Sequence, residues 1–234
     1  MRVAMGAGAS TVSPPEFNPN DRATWTLAHV FGLFKVYREG HYDFGVHRDA
    51  FDAVMRAAQP SATSIVDDLW HTFDSADTGI VNVLEVIVGL TMGAWAPAPH
   101  ARPELLFTVF DFNGNGEMSH DELVIMLQMT LSAVVKLEGR GRIPDQSEVH
   151  QLADEAFAMA DSDASGELSR AEFRTWVERH VFNGNVLATF GLEDEGSPVR
   201  CDPAAAGGDI NGLAAAAPAV AAEAGATATA GALR

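Results

Sequence analysis

The chain is expected to be all-α: two lobes, each a pair of helix–loop–helix units joined through a short β contact. Three observations lead there. Residues 111–122 read DFNGNGEMSHDE and residues 161–172 read DSDASGELSRAE, both with oxygen-bearing side chains at loop positions 1, 3, 5, 9 and 12, glycine at 6 and an apolar residue at 8. Apolar residues at helical spacing flank each loop. The same unit recurs twice upstream in weaker form, so the architecture is repetitive.

The two strong loops carry the ligand pattern of a calcium-binding EF-hand. Ca²⁺ is a hard cation that takes six to eight oxygens, so carboxylates and amides at alternate positions suit it. The expected side-chain ligands are Asp111, Asn113, Asn115 and Glu122 in one loop, and Asp161, Asp163, Ser165 and Glu172 in the other. Glu117 and Glu167 stand at position 7 and would contribute backbone carbonyls. Gly116 and Gly166 allow the sharp turn around the ion, and each terminal glutamate would give both oxygens. The second of these loops has one more aspartate at a ligand position and should bind at least as tightly. Whether Mg²⁺ occupies the loops at rest is left open by the residues.

Along the chain, residues 1–20 are small and polar and are read as a disordered segment. Within them MGAGAS, from Met5, fits an N-myristoylation pattern that requires translation to start there. Residues 21–94 form the first pair of hands. Trp25, Leu27, Val30, Phe31 and Phe34 mark the first helix, and a second runs from Phe51 to Ala57. Ser61 and Ser64 are the candidate N-caps of the third, which carries Ile65, Val66, Leu69, Trp70 and Phe73. The first loop, EGHYDFGVHRDA at 39–50, has Phe44 at position 6 and Ala50 at position 12, so it lacks both the turn glycine and the bidentate acid. The second, DSADTGIVNVLE at 74–85, keeps Asp74, Thr78, Gly79 and Glu85 but has Ala76 at position 3. Asp74, Thr78 and Glu85 are therefore weaker candidate ligands.

Residues 95–103 are rich in Ala and Pro and read as a linker between lobes. Residues 104–192 form the second pair of hands, with an unusually long apolar helix from Leu123 to Leu137 and an exposed connector at 138–147. Residues 193–234 are a tail read as disordered; from Pro203 onward it is about half alanine, and it lacks aromatics. Paired hands meet at position 8, so Val46 should face Val81 and Met118 should face Leu168. That pairing also explains why a loop without metal ligands persists: its partner needs it.

Composition narrows the function. With 234 residues and 47% hydrophobic content the chain can bury a sizeable core. A net charge of −17 argues against nucleic acid, which is bound through clustered Lys and Arg. Cys201 is the sole cysteine, which points to a reducing, cytoplasmic setting. No apolar run is long enough to span a bilayer and no secretory signal is evident, so membrane attachment would need the acyl chain. His41, His47, His71, His100, His120, His150 and His180 are scattered without zinc-site spacing. Without a phosphate-cradling loop or a nucleophile elbow, the expectation is a protein that is not an enzyme. Met92, Met126, Met129 and Met159 lie on apolar helix faces. They suit either ordinary core packing or a soft groove for an amphipathic helix of a partner.

One degenerate hand, three later hands and a long connector between the third and fourth resemble the neuronal calcium sensor and calcineurin B superfamily. Within it the chain looks most like the calaxin type, associated with ciliary outer-arm dynein. The residues that carry this are FNPND at 17–21, FDSADTGIVNVLEVIVGL at 73–90, VFDFNGNGEMSHDELVIML at 109–127 and LATFG at 187–191. The resemblance covers about residues 17–195. It implies a calcium sensor in the cilium or flagellum axoneme, bound to the outer dynein arm or its docking complex. The residues alone allow two other roles, a calcineurin-B-like regulatory subunit of another enzyme and a calcium buffer. The apolar 123–137 helix and the methionines argue against a pure buffer, which needs no groove.

Overall fold

A computed structural model describes residues 13–98, 100–182, 186, 189 and 190. The Met5 motif, Cys201 and the Ala-rich tail lie outside these residues. After a short 3₁₀ turn at Arg22–Thr24, the elements run α1 (Leu27–Glu39), β1 (Gly45–Val46), α2 (Arg48–Ala58), α3 (Ser64–Phe73), β2 (Val81–Asn82) and α4 (Val83–Gly93). They continue as α5 (Ala101–Phe110), β3 (Glu117–Met118), α6 (His120–Glu138), α7 (Gln146–Ala160), β4 (Leu168–Ser169) and α8 (Arg170–His180). This is an all-α EF-hand fold whose strands serve only to pair the loops.

The pairing is antiparallel in both cases. Val46 faces Val81 across β1 and β2, and Met118 faces Leu168 across β3 and β4. All four side chains are buried, with Val81, Met118 and Leu168 at 0% exposure. A two-residue strand contributes little hydrogen bonding, so its position is set by the apolar side chain at position 8. Shifting the register by one residue would turn that side chain to solvent. The first loop keeps this role without metal: Phe44 at position 6 is exposed, and the His47 Nδ1 lies 2.9 Å from the Gly79 carbonyl of its partner loop.

Several boundaries differ from the sequence reading. Residues 17–20 are packed: Phe17 stacks on the His29 ring at 3.8 Å, and Asn20 Oδ1 accepts the Thr63 N–H at 2.6 Å. The cap residue of α3 is Thr63, not Ser61 or Ser64, and the satisfied N–H is its own, met from across the fold. Residues 95–98 and 100–103 pack as a seam, buried or half-buried, and not as a free linker. Trp95 donates its N–H to the Trp25 carbonyl at 2.8 Å and accepts from Leu27, while Ala94, Ala96, Ala98 and Ala101 are buried. Alanine and proline there reflect close packing; Pro103 sits in the first turn of α5, where a missing N–H costs nothing. Arg102, with 0% exposure, donates to the carbonyls of Thr91 and Ala94, satisfying the open end of α4.

One continuous core therefore joins the two pairs of hands. Its centre is the α4–α6 contact. Gly89 on α4 makes that contact possible: a Cβ there would lie 2.8 Å from Leu137 Cδ1, 3.0 Å from Phe73 Cζ and 3.4 Å from Ala133 Cβ. Gly89→Val is expected to destabilise the metal-free protein by about 1–3 kcal/mol through overpacking. Urea unfolding of the two proteins measures the difference. An unchanged midpoint would mean that α4 and α6 are not held at this separation.

Candidate metal centres

The two later loops are built around the glutamate at position 12, which is also the third residue of the exiting helix. Ser119 begins α6 and Ser169 begins α8, each in a capping box with that glutamate. Glu122 Oε2 accepts from the Ser119 N–H at 2.9 Å and from its hydroxyl at 2.8 Å, and Oε1 accepts from the Phe112 N–H at 3.0 Å. Glu172 repeats this with Ser169 at 3.1 and 2.7 Å and with the Ser162 N–H at 2.9 Å. Each carboxylate thus ties both ends of its loop together.

In the third loop Asp111 Oδ2 accepts the Gly116 N–H at 3.1 Å, with Gly116 at φ 83°, a conformation that glycine adopts without strain. Its other oxygen, Oδ1, is buried and has no hydrogen-bond partner. A buried carboxylate oxygen left bare is costly, and a cation is the partner that suits it. Asn113 and Asn115 turn their carbonyl oxygens inward on the loop, accepting the N–H groups of Asn115 and Glu117 at 2.8 and 2.9 Å. In the fourth loop Asp161, Asp163 and Glu172 bring one oxygen each within 4.8 Å of one another. Ser165 donates its hydroxyl to the Glu167 carbonyl at 2.8 Å. Both donor sets are all-oxygen and fit Ca²⁺. The third loop offers two carboxylates with two amides, the fourth three carboxylates with one hydroxyl.

Electrostatics follow from these contacts. Hydrogen bonds from Ser162 and then Ser169 hold the Glu172 carboxyl well below its ordinary value, at about 2. Such a depressed acid contributes stability above its unfolded value, and the contribution is lost as pH falls toward 2. Water screens much of it, because Glu172 is only half-buried. Glu117 shifts the opposite way. The Glu167 carboxyl across the strand pair, by hydrogen bond and then by charge, pushes it up.

The second loop repeats the position-1 contacts of the fourth, where Asp161 accepts the Ser165 and Gly166 N–H groups at 3.1 and 3.0 Å, and departs at its glutamate. Asp74 Oδ1 accepts the Thr78 N–H and hydroxyl at 2.7 and 2.8 Å, and Oδ2 accepts the Gly79 N–H at 2.9 Å. Burial alone would raise the Asp74 carboxyl, but the Thr78 and Gly79 hydrogen bonds, with the Lys136 charge, bring it below its ordinary value. Glu85 is buried and both its oxygens are taken up by α6: Oε1 accepts the Ser132 hydroxyl, and Oε2 lies 2.9 Å from Lys136 Nζ. Asp74 and Thr78 are brought together; Glu85 is carried to α6. The sequence reading missed Ser132 and Lys136. The available signal was a lone cation four residues after a serine in an otherwise apolar helical run.

The methionines divide. Met92 and Met126 are core, at 1% and 0% exposure, and Met129 is half-buried. Met159, at 59%, lines a cavity of about 560 Å³ with Ala160, Thr175, Trp176 and Arg179. The apolar length of α6 is used mainly against α4 and α7, so it is not by itself a sign of a groove.

Comparison with known proteins adds family context. No protein-family model matches the chain. It is similar to calcineurin B of Naegleria gruberi, 25% identical over 170 residues, covering 72% of this chain and 90% of that protein. It is also similar to human calaxin, 29% identical over 148 residues, covering 63% of this chain and 66% of calaxin. Calcineurin B of Candida glabrata is 25% identical over 118 residues, half of this chain and 62% of its own. These relatives support EF-hand character of the calcineurin B and neuronal calcium sensor kind.

Two outcomes are expected from this geometry. Glu122→Gln and Glu172→Gln should each remove one calcium-binding event in calorimetry; retention of both events in both variants would refute the ligand assignment. Ser169→Ala should move the Glu172 carboxyl back toward its ordinary range in an NMR titration of the metal-free protein. Lost capping should also cost about 1 kcal/mol.

Proposed function

We propose that the chain is a calcium sensor in which the third and fourth hands bind the ion and a protein helix reads the result. The observation that carries this is the position-12 glutamate of each loop, fixed at the head of a helix whose inner face is core. Phe107, Phe110, Leu123, Met126 and Phe173 lie behind the loops at 0–1% exposure. When a glutamate gives both oxygens to Ca²⁺ it draws its helix against the entering one, and the apolar interior between them opens. Mg²⁺ keeps its waters and prefers compact octahedral geometry, so it does not recruit the second oxygen. The cavity beside Met159 and Trp176 lies on this same α7–α8 pair, and the Glu172 side chain lines it.

The acidity of the chain favours an amphipathic helix with a basic polar face. The similarity to calaxin favours a ciliary role, in which that helix belongs to the outer dynein arm or its docking complex and calcium tunes dynein activity. A calcineurin-B-like regulatory role on another enzyme is the second reading, favoured by alignment along 90% of the Naegleria gruberi protein. In that reading the partner helix stays bound without calcium.

Calcium, and not magnesium, is expected to raise the fluorescence of a hydrophobic dye several-fold. An unchanged signal would favour a buffer. Fractionation of ciliated cells separates the two partner readings: the ciliary role requires the protein to remain with detergent-extracted axonemes. Its absence from them, with calcium-independent capture of a phosphatase or a transporter, would leave the second.

A further inference from the structure

We propose that the ammonium of Lys136 is the resident cation of the second hand, so that this loop is closed from within the chain and takes no calcium. Lys136 reaches from the last turn of α6 to the mouth of the loop. Its Nζ donates to the Phe73 carbonyl at 3.0 Å, one residue before the loop begins, and to Glu85 Oε2 at 2.9 Å, the residue that ends it. Those are the two ends that a position-12 carboxylate draws together around an ion. The ammonium also lies 5.7 Å from the centre of the Phe73 ring. Ser132, one turn earlier on α6, fills the other Glu85 oxygen. Spacing of four residues puts both donors on one helix face, so Glu85 is held at both oxygens. Its side chain is 7% exposed and that of Lys136 19%.

The rest of the loop is consistent with an internal cation and not with a divalent one. Ca²⁺ needs six to eight oxygens at 2.3–2.6 Å. Ala76 supplies none, and the Thr78 hydroxyl donates to Asp74 Oδ1 within the loop. In the third loop, by contrast, Asp111 Oδ1 stands buried and bare. A lysine contributes one charge, three donors and no demand for a full oxygen shell, which matches what remains here. The arrangement also fixes α6 at both ends. Its head is held through Glu122 to the third loop and its tail through Lys136 to the second, about 21 Å away at 1.5 Å per residue. A single helix is thereby shared by two hands, one keyed to calcium and one locked by the chain itself.

Two measurements test this, the first without metal. In a double-mutant cycle of Lys136→Met and Glu85→Gln, followed by urea unfolding of the calcium-free protein, the two changes should be coupled by about fivefold or more in the unfolding equilibrium constant. Additive effects would overturn the pairing, whatever the later hands bind. In calcium calorimetry the unaltered chain should show two binding events, and Glu85→Gln should leave both in place. A third event abolished by Glu85→Gln would overturn the proposal by showing a divalent ion in the second loop. Lys136→Met should add one weak event, lost again when Glu85→Gln is combined with it. A Lys136→Met protein with native near-ultraviolet circular dichroism and only two events would show that the ammonium is not what excludes calcium. Should that variant fail to fold, the Glu85→Gln calorimetry decides alone. Loss of all calcium binding by the unaltered chain would sink the sensor reading while leaving the metal-free cycle to judge Lys136.

Discussion

A carboxylate at the third residue of a helix has two tasks in this chain, and the structure is organised by how each copy divides them. In α6 and α8 it completes a capping box with the serine at position 9 while reaching back to the N–H at position 2. Helix start and loop closure are thus the same contact. An ion arriving in the loop acts directly on the helix through that carboxylate. In α4 the equivalent residue, Glu85, is held at both oxygens by Ser132 and Lys136 of α6. The same residue type at the same spacing becomes an inter-helix tie.

The consequence is an asymmetric molecule. The first two hands have no complete set of oxygen ligands, yet they form half of one continuous core with a seam at 94–101 and a close α4–α6 contact at Gly89. They pack against the later pair through that core. The complete donor sets lie in the third and fourth loops, where the groups behind the loops are large and apolar. A buffer would not require this arrangement of a locked half and a keyed half.

The charge distribution supports the same division. Carboxylates meet across the β3–β4 pair, where Glu167 raises the Glu117 carboxyl by hydrogen bond and then by charge. In the second hand Lys136 pairs with Glu85, and Asp74 is held below its ordinary value by the Thr78 and Gly79 hydrogen bonds and then by the Lys136 charge. One pair of loops stores an unmet demand for positive charge; the other has met it locally.

Much of this was legible in the residues alone. The loop pattern specified Gly116 and Gly166 in their turns. The apolar residue at position 8 specified the register of Val46 with Val81 and Met118 with Leu168, because short-range spacing dictates which side chain meets which. The serine and glutamate of each capping box are three residues apart and equally local. The destination of Glu85 was not legible, since it depends on residues 47 and 51 positions away that reach it only after α4 and α6 have packed. Nor was the burial of Ala94, Ala96, Ala98 and Ala101, in an Ala- and Pro-rich stretch that reads as a linker until Trp95 is seen to donate its N–H to the Trp25 carbonyl. Sequence determined the hands and their pairing through contacts within a few residues. Tertiary structure decided where each terminal glutamate makes its contacts, because a partner from a distant helix reaches Glu85 only after α4 and α6 have packed.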